Sequence, residues 1–516
     1  MKLTTCEQMR EMDEAAVGRF GIPGLLLMEN AARSVFDAIR NIEAYIPKKA
    51  AVLCGVGNNG GDGFAIARHM FNDGADVLVV VVGEPGKITG DARVNYEICR
   101  KMGLIGDFAP DALRDGYPLI VDAMLGTGVS GGLREPVREA VAAVNGQREN
   151  GAYIVAVDCP TGGDPDTGRV SDICVRADLT VTLALTKAGL LLYPLAEYTG
   201  RIEVGGISMP GELLDELETD MYALDESLAA ELLPKRHECS HKGTYGRVAV
   251  VAGSAGMTGA AAFCADAAYK AGCGYVDVNA PRTAIPVIQQ LVPQAISTPL
   301  PEKGGFVCAD ALDTALAQIN KATVCLLGPG LGQTEDVREF VRGVITGADV
   351  PLVLDADALN AIAGQGADIL REAKVPPVIT PHPLEMSRLT GVPAARILDD
   401  MIGEARKFAA VYNTVTVLKS AATVIADPNG RVFINKGACS ALAKAGSGDI
   451  LAGLIAGFIA QGADGAEVAA LGCYIQSKAG KAAAARYGDY SVGYAEVLGC
   501  VHEAIIPIFN KTVTTA

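Results

Sequence analysis

Two different three-layer α/β/α domains, fused in one chain, are predicted from three observations. The chain has 516 residues, both halves alternate short β-branched runs with helical segments, and a charged, irregular stretch separates the halves. A single hydrophobic core seldom grows beyond roughly 250–300 residues, so the length alone asks for two.

Residues 5–40 read as two amphipathic helices separated by the breaker GIPG at 21–24. From Ala50 the pattern changes to AAVLC, DVLVVVV, PLIVDA, AYIVAVD and LTVTLAL, each followed by helical or loop sequence. Continuous apolar runs in that alternation predict a parallel, doubly wound, Rossmann-like sheet. Between residues 205 and 242 the chain turns charged, with GELLDELETD and LLPKRHECSHKG, and the domain boundary is placed there, near residue 225. The expected domains are 1–220 and 225–516. A second series, RVAVVAG, TVCLLGPG, PLVLDAD, PVITPH and TVTVLKS, ends in alanine-rich helices after Gly446. It shares the strand-loop-helix logic of the first half without repeating its sequence.

The formal charge of −16 argues against nucleic acid or an anionic membrane as the main partner, because both call for a basic face. Any phosphate must be held locally. Thirteen cysteines, an odd number with no C-x-x-C pair, lie mostly in apolar stretches, as expected of reduced thiols in a cytoplasmic protein. The opening MKLTTCEQMREMDEAA lacks the apolar core of a secretory signal. The longest apolar helix candidate, 450–460, is too short to span a bilayer. A soluble cytoplasmic enzyme is expected.

Two glycine-and-aspartate loops carry the chemistry: GNNGGDG at 57–63 and GSGD at 446–449, each between an apolar run and a helix. Backbone N–H groups at a helix start attract anions. Gly55, Gly57 and Gly60 match G-x-G-x-x-G, and Glu84 after the second strand could serve as the acidic partner of an ordinary dinucleotide cofactor. Asp62, however, adds a negative charge where a pyrophosphate would lie, so the site uses this carboxylate or a cation. Candidate oxygen ligands stand at strand ends: Asn58, Asn59, Asp122 and Thr161. Such donors suit a hard cation. Helix and turn capping is the alternative reading for each of them. The loop GTGVSGG at 126–132 lies beside Asp122.

The segments EQMREMDEAA, LLLMENAA, GVGNNGGDGFAIAR, VDAMLGTGVSG, DCPTG and ADLTVTLALTKAG, in this order, resemble the amino-terminal epimerase domain of bifunctional NAD(P)H-hydrate repair enzymes over roughly 1–215. That resemblance implies interconversion of the R and S epimers of hydrated NADH and NADPH, and potassium bound by Asn59, Asp122 and Thr161. It implies that Asn58, Asn59, Gly60, Gly61, Asp62, Gly126, Thr127, Gly128, Val129, Ser130, Gly131, Gly132 and Asp158 contact the hydrate. Asp158 is the candidate acid-base group, since epimerising a carbon that bears a hydroxyl and a ring nitrogen needs proton transfer within hydrogen-bond reach. Holding the DCPTG turn is its alternative role. Cys159 and Thr161 replace the family's common isoleucine and serine, and threonine keeps the hydroxyl.

In the second half, small residues before Asp449 let N–H groups converge on a transferring phosphoryl group, with Asp449 as base toward an attacking hydroxyl. Capping is again the alternative. GPGLG at 328–332, LDAD at 354–357, TPHP at 380–383 and KSAAT at 419–423 end successive strands and should converge on one crevice. With HKGTYGRVAVVAGSAGMTGAAAFCADAAYKAGCG before them, they resemble the carboxy-terminal, ribokinase-like ADP-dependent dehydratase domain of the same family, from about Ser240 onward. The resemblance implies magnesium with ADP as co-substrate, phosphorylation of the S hydrate, and release of phosphate to give NADH or NADPH. It implies that Ala260, Gly332, His382 and Asp449 contact the hydrate, while Lys419, Ser420, Ala421, Ala422, Thr423 and Gly448 bind the nucleotide. Ala445, Ser447, Ser420 and Leu384 depart from the family's common glycine, threonine, glycine and glycine; these changes bear on rate and affinity.

Two other functions compete. A ribokinase-like kinase of a vitamin-precursor alcohol, with an accessory first domain, would use the same anion hole. A non-catalytic dinucleotide-binding module would account for the first half alone. Small-molecule substrates and a homo-oligomeric state are expected.

Overall fold

The computed structural model describes residues 1–106, 113, 116–126, 132–364, 366–463 and 465–514. The chain divides into two compact units: Lys2–Thr219, and Asp220–Ala516 together with Met1.

The first unit opens with helices α1 (Cys6–Phe20) and α2 (Gly24–Arg40). A capping box between Thr5 and Gln8 starts α1, and Gly21 ends it in the left-handed conformation at φ 67°. Leu27, Met28, Ala31, Ala32, Val35, Phe36 and Ile39 recur at helical spacing and are buried, which lays α2 against the sheet. The sheet contains β1 (Lys49–Cys54), β2 (Asp76–Val81), β3 (Ile105–Gly106), β4 (Leu119–Ala123), β5 (Tyr153–Val157), β6 (Leu179–Leu183) and β7 (Arg201–Gly205). All pairings are parallel, in the order β3-β2-β1-β4-β5-β6-β7. The chain therefore reverses its direction of travel between β1 and β4, and open α/β sheets bind ligands at such a point. The short β3 and the half-exposed β7 carry too little apolar sequence to stand out as strands.

Helix α3 (Asn58–Asn72) follows β1 and lies very close to the sheet. A Cβ on Gly60 would come within 2.0 Å of the Gly55 carbonyl oxygen, and one on Gly63 within 2.6 Å of the Ala123 Cβ. These glycines are required by close approach of helix and strand.

The second unit holds a ten-stranded sheet. Its strands are β8 (Met221–Ala223), β9 (Arg247–Val251), β10 (Tyr275–Pro281), β11 (Ile296–Leu300), β14 (Val324–Leu327), β15 (Leu352–Leu354), β16 (Val378–Ile379), β17 (Val415–Leu418), β18 (Thr423–Ala426) and β19 (Val432–Asn435), with a separate hairpin of β12 (Glu302–Lys303) and β13 (Phe306–Val307). The order is β11-β10-β9-β14-β15-β16-β17-β18-β19-β8. Here β18 runs antiparallel to both neighbours, a departure from a purely parallel series. The link from Leu418 to Thr423 is far shorter than the dozen or so residues that a parallel crossover requires, so the chain turns back as a hairpin. The charged stretch around 211–232 is more ordered than its sequence suggests: it forms helices Gly211–Glu216 and Glu226–Leu232, and β8 between them pairs with β19.

The alanine-rich helices Ser447–Ile459 and Gly465–Tyr487 are heavily buried. A Cβ on Gly453 would lie 2.4 Å from the Cys264 carbonyl oxygen, so Ser447–Ile459 packs backbone-close on helix Thr258–Ala271. All thirteen cysteines are free thiols and eleven are buried. No helix among the described residues is long and apolar enough to cross a membrane.

Candidate active sites

At the carboxyl ends of β1, β4 and β5 the first unit encloses a cavity of about 910 Å³. Asn58, Asn59, Asp62, Gly126 and Asp158 line it, together with Asp13 and Lys187. Helix α3 starts at this cavity with Gly57 as its cap, and no side chain among the described residues bonds to its first N–H groups. Open space surrounds Gly57 on its Cβ side. An uncapped helix start in a cavity is an anion site in waiting.

Asp158 follows β5 with φ 65°, a left-handed backbone that non-glycine residues adopt at a cost and mostly at functional sites. Its N–H donates to the Val181 carbonyl at 2.8 Å, which holds that conformation. Asp158 Oδ1 accepts from Lys187 Nζ at 2.5 Å, from the Leu183 N–H at 3.0 Å and from the Thr182 hydroxyl at 3.2 Å. Lys187 is 1% exposed, so the ion pair is dry on the lysine side. Burial, then the Asp158 and Asp13 charges, push the Asp62 carboxyl well above its ordinary range. Asp13 is pushed up to about 6 by burial, with Lys187 opposing.

Asp122 is fully buried at the end of β4. Its two oxygens accept from the Thr161 hydroxyl at 2.7 Å, the Thr161 N–H at 2.8 Å and the Met124 N–H at 3.2 Å. Thr161 Oγ1 in turn accepts from the Leu125 N–H at 3.1 Å. Burial lifts Asp122 to about 6, with the Thr161 hydrogen bonds acting against it. Asn59 packs beside Gly126, where a Cβ would lie 3.3 Å from its Cγ, and its buried Nδ2 has no hydrogen-bond partner among the described residues. An amide's nitrogen and oxygen are assigned by their surroundings, so the same side chain can turn an oxygen to that position.

Not every expected contact residue faces the cavity. Gly60 and Gly61 pack inward, the latter with its Cβ position 2.6 Å from the Met28 Cε. Gly132 is exposed. Thr127, Gly128, Val129, Ser130 and Gly131 lie outside the described residues. Glu84 pairs with Lys87 at 3.1 Å on the surface and is no part of the cavity wall.

In the second unit, Gly446 caps helix Ser447–Ile459 at φ 93°, again without a side-chain cap among the described residues. Its missing Cβ makes room for the Phe263 ring, which stacks on Tyr494 with centroids 4.0 Å apart. Asp449 sits in the first turn and is pushed up to about 7 by burial and by Asp355, with Lys419 opposing. Lys419 Nζ donates to Asp355 Oδ1 at 2.9 Å, and a Cβ on Gly448 would lie 3.4 Å from Asp355 Oδ2 and 3.5 Å from Lys419 Nζ. The ends of β15, β17 and the helix start thus meet. Burial alone would lower the Lys419 ammonium, yet Asp355 and Glu385 carry it above its ordinary value.

His382 caps helix Pro383–Thr390: its Nδ1 accepts from the Leu384 and Glu385 N–H groups at 3.1 and 3.2 Å. That leaves Nε2 as the protonated nitrogen of a neutral ring. Burial and the Lys419 charge lower its pKa. Gly332 takes φ 87° beside the Phe306 ring, and its N–H donates to Asp357 Oδ2 at 2.8 Å. Ala260 packs near Gly330, whose Cβ would lie 3.0 Å from the alanine methyl. Ser420, Ala421 and Ala422 form the turn that leads into β18 at Thr423.

Sequence reasoning passed over Asp13, Lys187 and Asp355. Lys187 had a local signal: like Lys419 it closes a threonine-rich strand run. Asp13 had another, because it shares a helical face with the buried Met9 and Ala16.

A family model described as NAD(P)H-hydrate dehydratase matches residues 248–498, and one described as YjeF-related protein N-terminus matches 24–189. The bifunctional NAD(P)H-hydrate repair enzyme of Moorella thermoacetica is 39% identical over 510 residues, covering 96% of this chain and 95% of its own. That of Thermofilum pendens is 36% identical over 497 residues, covering 95% and 93%. Among solved structures, the ADP/ATP-dependent NAD(P)H-hydrate dehydratase of Bacillus subtilis, co-crystallised with ATP and Mg2+, is 30% identical and covers 56% of this chain and 100% of its own, with a TM-score of 0.49. Two unlike doubly wound units, each with carboxylates gathered at a sheet crevice, define a fused two-domain α/β enzyme. The chain belongs to the family of bifunctional NAD(P)H-hydrate repair enzymes.

Proposed function

We propose that the first unit interconverts the R and S hydrates of NADH and NADPH and that the second dehydrates the S hydrate with ADP, giving NADH or NADPH, AMP and phosphate. The observation that carries this reading is the pairing, on one chain, of a large carboxylate-lined cavity at the β1–β4 switch with a helix start that presents Asp449 beside Lys419.

In the second unit Asp449 takes the proton of the hydrate's hydroxyl. The hydroxyl oxygen forms its bond to the β-phosphorus of the magnesium nucleotide as the bond to AMP breaks. Phosphate then departs with the C–O electron pair, and loss of the neighbouring C–H proton forms the ring double bond. Lys419, Ser420, Ala421, Ala422, Thr423 and Gly448 hold the nucleotide; Ala260, Gly332 and His382 hold the hydrate. The His382 ring, anchored through Nδ1 by two backbone N–H groups, presents Nε2–H as a fixed donor.

In the first unit Asp158 is the acid-base group, and Asn58, Asn59, Asp62 and Gly126 contact the hydrate, while Gly60 and Gly61 let α3 approach the sheet beneath them. Asn59, Asp122 and Thr161 would hold a potassium ion: carboxylate, hydroxyl and amide oxygens are its donor chemistry, and the unpartnered buried amide of Asn59 leaves a position open for one. When bound, that ion supplies positive charge against the pyrophosphate. The protein acts in the cytoplasm, whose reducing conditions suit its free buried thiols, and the expected assembly is a homo-oligomer.

The deciding assay incubates hydrated NADH with ADP and magnesium and follows recovery of the dihydronicotinamide absorbance. No recovery at high enzyme concentration, or a stable phosphorylated product, would overturn the reading. Light scattering measures the oligomer, and replacing potassium by sodium should slow R-hydrate conversion while leaving S-hydrate dehydration in place.

A further inference from the structure

Five carboxylates, one ammonium and one guanidinium line the first-unit cavity, and their environments differ sharply. Lys187 is bonded to Asp158, to the Leu183 carbonyl at 3.0 Å and to the Thr182 hydroxyl at 3.4 Å. No hydrogen bond joins it to Asp13, whose Oδ1 is buried without a hydrogen-bond partner among the described residues. Asp13 is held at the cavity wall by α1, a helix locked at both ends by its capping box and by Gly21. A buried carboxylate oxygen with nothing to bond is costly unless it is protonated or meets a ligand. Asp158 is the reverse case, with three donors on one oxygen. Two carboxyl groups of one site in such unlike surroundings, one oxygen saturated with donors and one with none, suit opposite proton-transfer roles.

We propose that Asp13 is the proton donor of the epimerisation, that Asp158 is its matching acceptor, and that Lys187 is the positioning residue that assigns these roles by pairing with Asp158 alone; this rests on the epimerase reading of the first unit. The atoms balance as follows. Asp158 takes the proton of the hydrate's hydroxyl, and the O–H electron pair becomes the carbonyl π bond as the carbon–nitrogen bond breaks. The departing ring nitrogen keeps the bonding pair and receives the proton of Asp13. Rotation about the neighbouring carbon–carbon bond turns the other carbonyl face to the nitrogen, and closure runs both transfers backward. Each carboxyl group ends in its starting state, so the turnover needs no outside proton. The remaining charged and titratable groups on the cavity wall are Cys6, Arg10 and Glu14 beside Asp13 on α1, Asp62 on α3, and Asp91.

The test compares full-length wild type with Asp13→Asn, Asp13→Glu, Lys187→Gln and Lys187→Arg, using purified R hydrate for the first unit and S hydrate with ADP for the second. Asp13→Asn should lower kcat for the R hydrate at least about 100-fold with KM little changed, and dehydration of the S hydrate should stay at the wild-type rate. Since Oδ1 has no partner to lose, its melting temperature should hold or rise, which separates lost chemistry from lost folding. Wild-type kcat should fall as pH rises through the Asp13 titration, and Asp13→Glu should restore part of the rate with that limb displaced. Lys187→Gln should lower kcat for the R hydrate with KM little changed, and Lys187→Arg, which keeps the charge beside Asp158, should restore part of it, a split that a purely structural lysine would not give. Asp13→Asn activity within about tenfold of wild type would overturn the donor assignment, and an unchanged kcat in Lys187→Gln, or no rescue by Lys187→Arg, would overturn the positioning role. Wild type that dehydrates the S hydrate and leaves the R hydrate untouched would instead sink the epimerase reading, and the proposal with it.

Discussion

The Lys419 ammonium lies 2.9 Å from Asp355 Oδ1, the same oxygen that receives the Thr380 hydroxyl at 2.6 Å. This contact ties the ends of β15, β16 and β17 together beneath the helix that carries Asp449. Asp355 is 2% exposed, so its charge depends on these partners. Removing one member of a buried pair strands the other, at a cost of about 3–5 kcal/mol. Lys419→Met is therefore expected to lower the stability of the second unit by that order in denaturant unfolding, and to abolish ADP-dependent dehydration. Unfolding midpoints equal to wild type would show that the pair carries no stability.

Asp449 has its carboxyl pushed up to about 7 by burial and by the Asp355 charge. As a base it must be ionised, so kcat for dehydration should rise with pH through about 7. Stability runs the other way. A carboxyl whose folded-state pKa is raised contributes fully below its unfolded value and loses that contribution as pH climbs through the folded one. Asp449→Asn should thus be inactive in dehydration, more stable than wild type at pH above 7, and similar to it in acid, as differential scanning calorimetry across pH would reveal.

Asp158→Asn should cut conversion of the R hydrate by about 10²–10⁴-fold, the usual contribution of a positioned acid-base group. Dehydration of the S hydrate should be untouched. Unchanged R-hydrate conversion would remove Asp158 from the chemistry.

Gly60 is a packing residue that faces away from the cavity. Gly60→Ala drives a methyl to within 2.0 Å of the Gly55 carbonyl oxygen, backbone that cannot rotate away. Overpacking of this kind costs about 1–3 kcal/mol. Lower thermal stability of the first unit is expected, with R-hydrate conversion reduced and the second unit's activity retained; an unshifted melt would show that α3 can slide.

The strand-end motifs were legible because open parallel sheets place ligands at the carboxyl ends of their strands, so DCPTG, LDAD, TPHP and KSAAT announce a crevice without any knowledge of contacts. The glycine loops were legible for a related reason: a helix can begin close to a sheet only where Cβ atoms are missing. The antiparallel β18 and the edge strand β8 were less so. Each is four residues or fewer, and short strands owe their pairing to neighbours rather than to their own pattern.

Composition, alternation and motif order determined by themselves that this chain holds two unlike doubly wound units with acidic glycine loops. What only the tertiary structure decided is which carboxylate stands alone. Asp13 comes from the first helix and Lys187 from beyond the sixth strand, and no local pattern links them; packing α1 against Leu27 of α2 and against Ala184 and Leu185 after β6 puts both on one cavity wall, where the ammonium goes to Asp158. Burial then makes the difference count, because in a medium that solvates charge poorly a partner one hydrogen bond away separates an acid from a base.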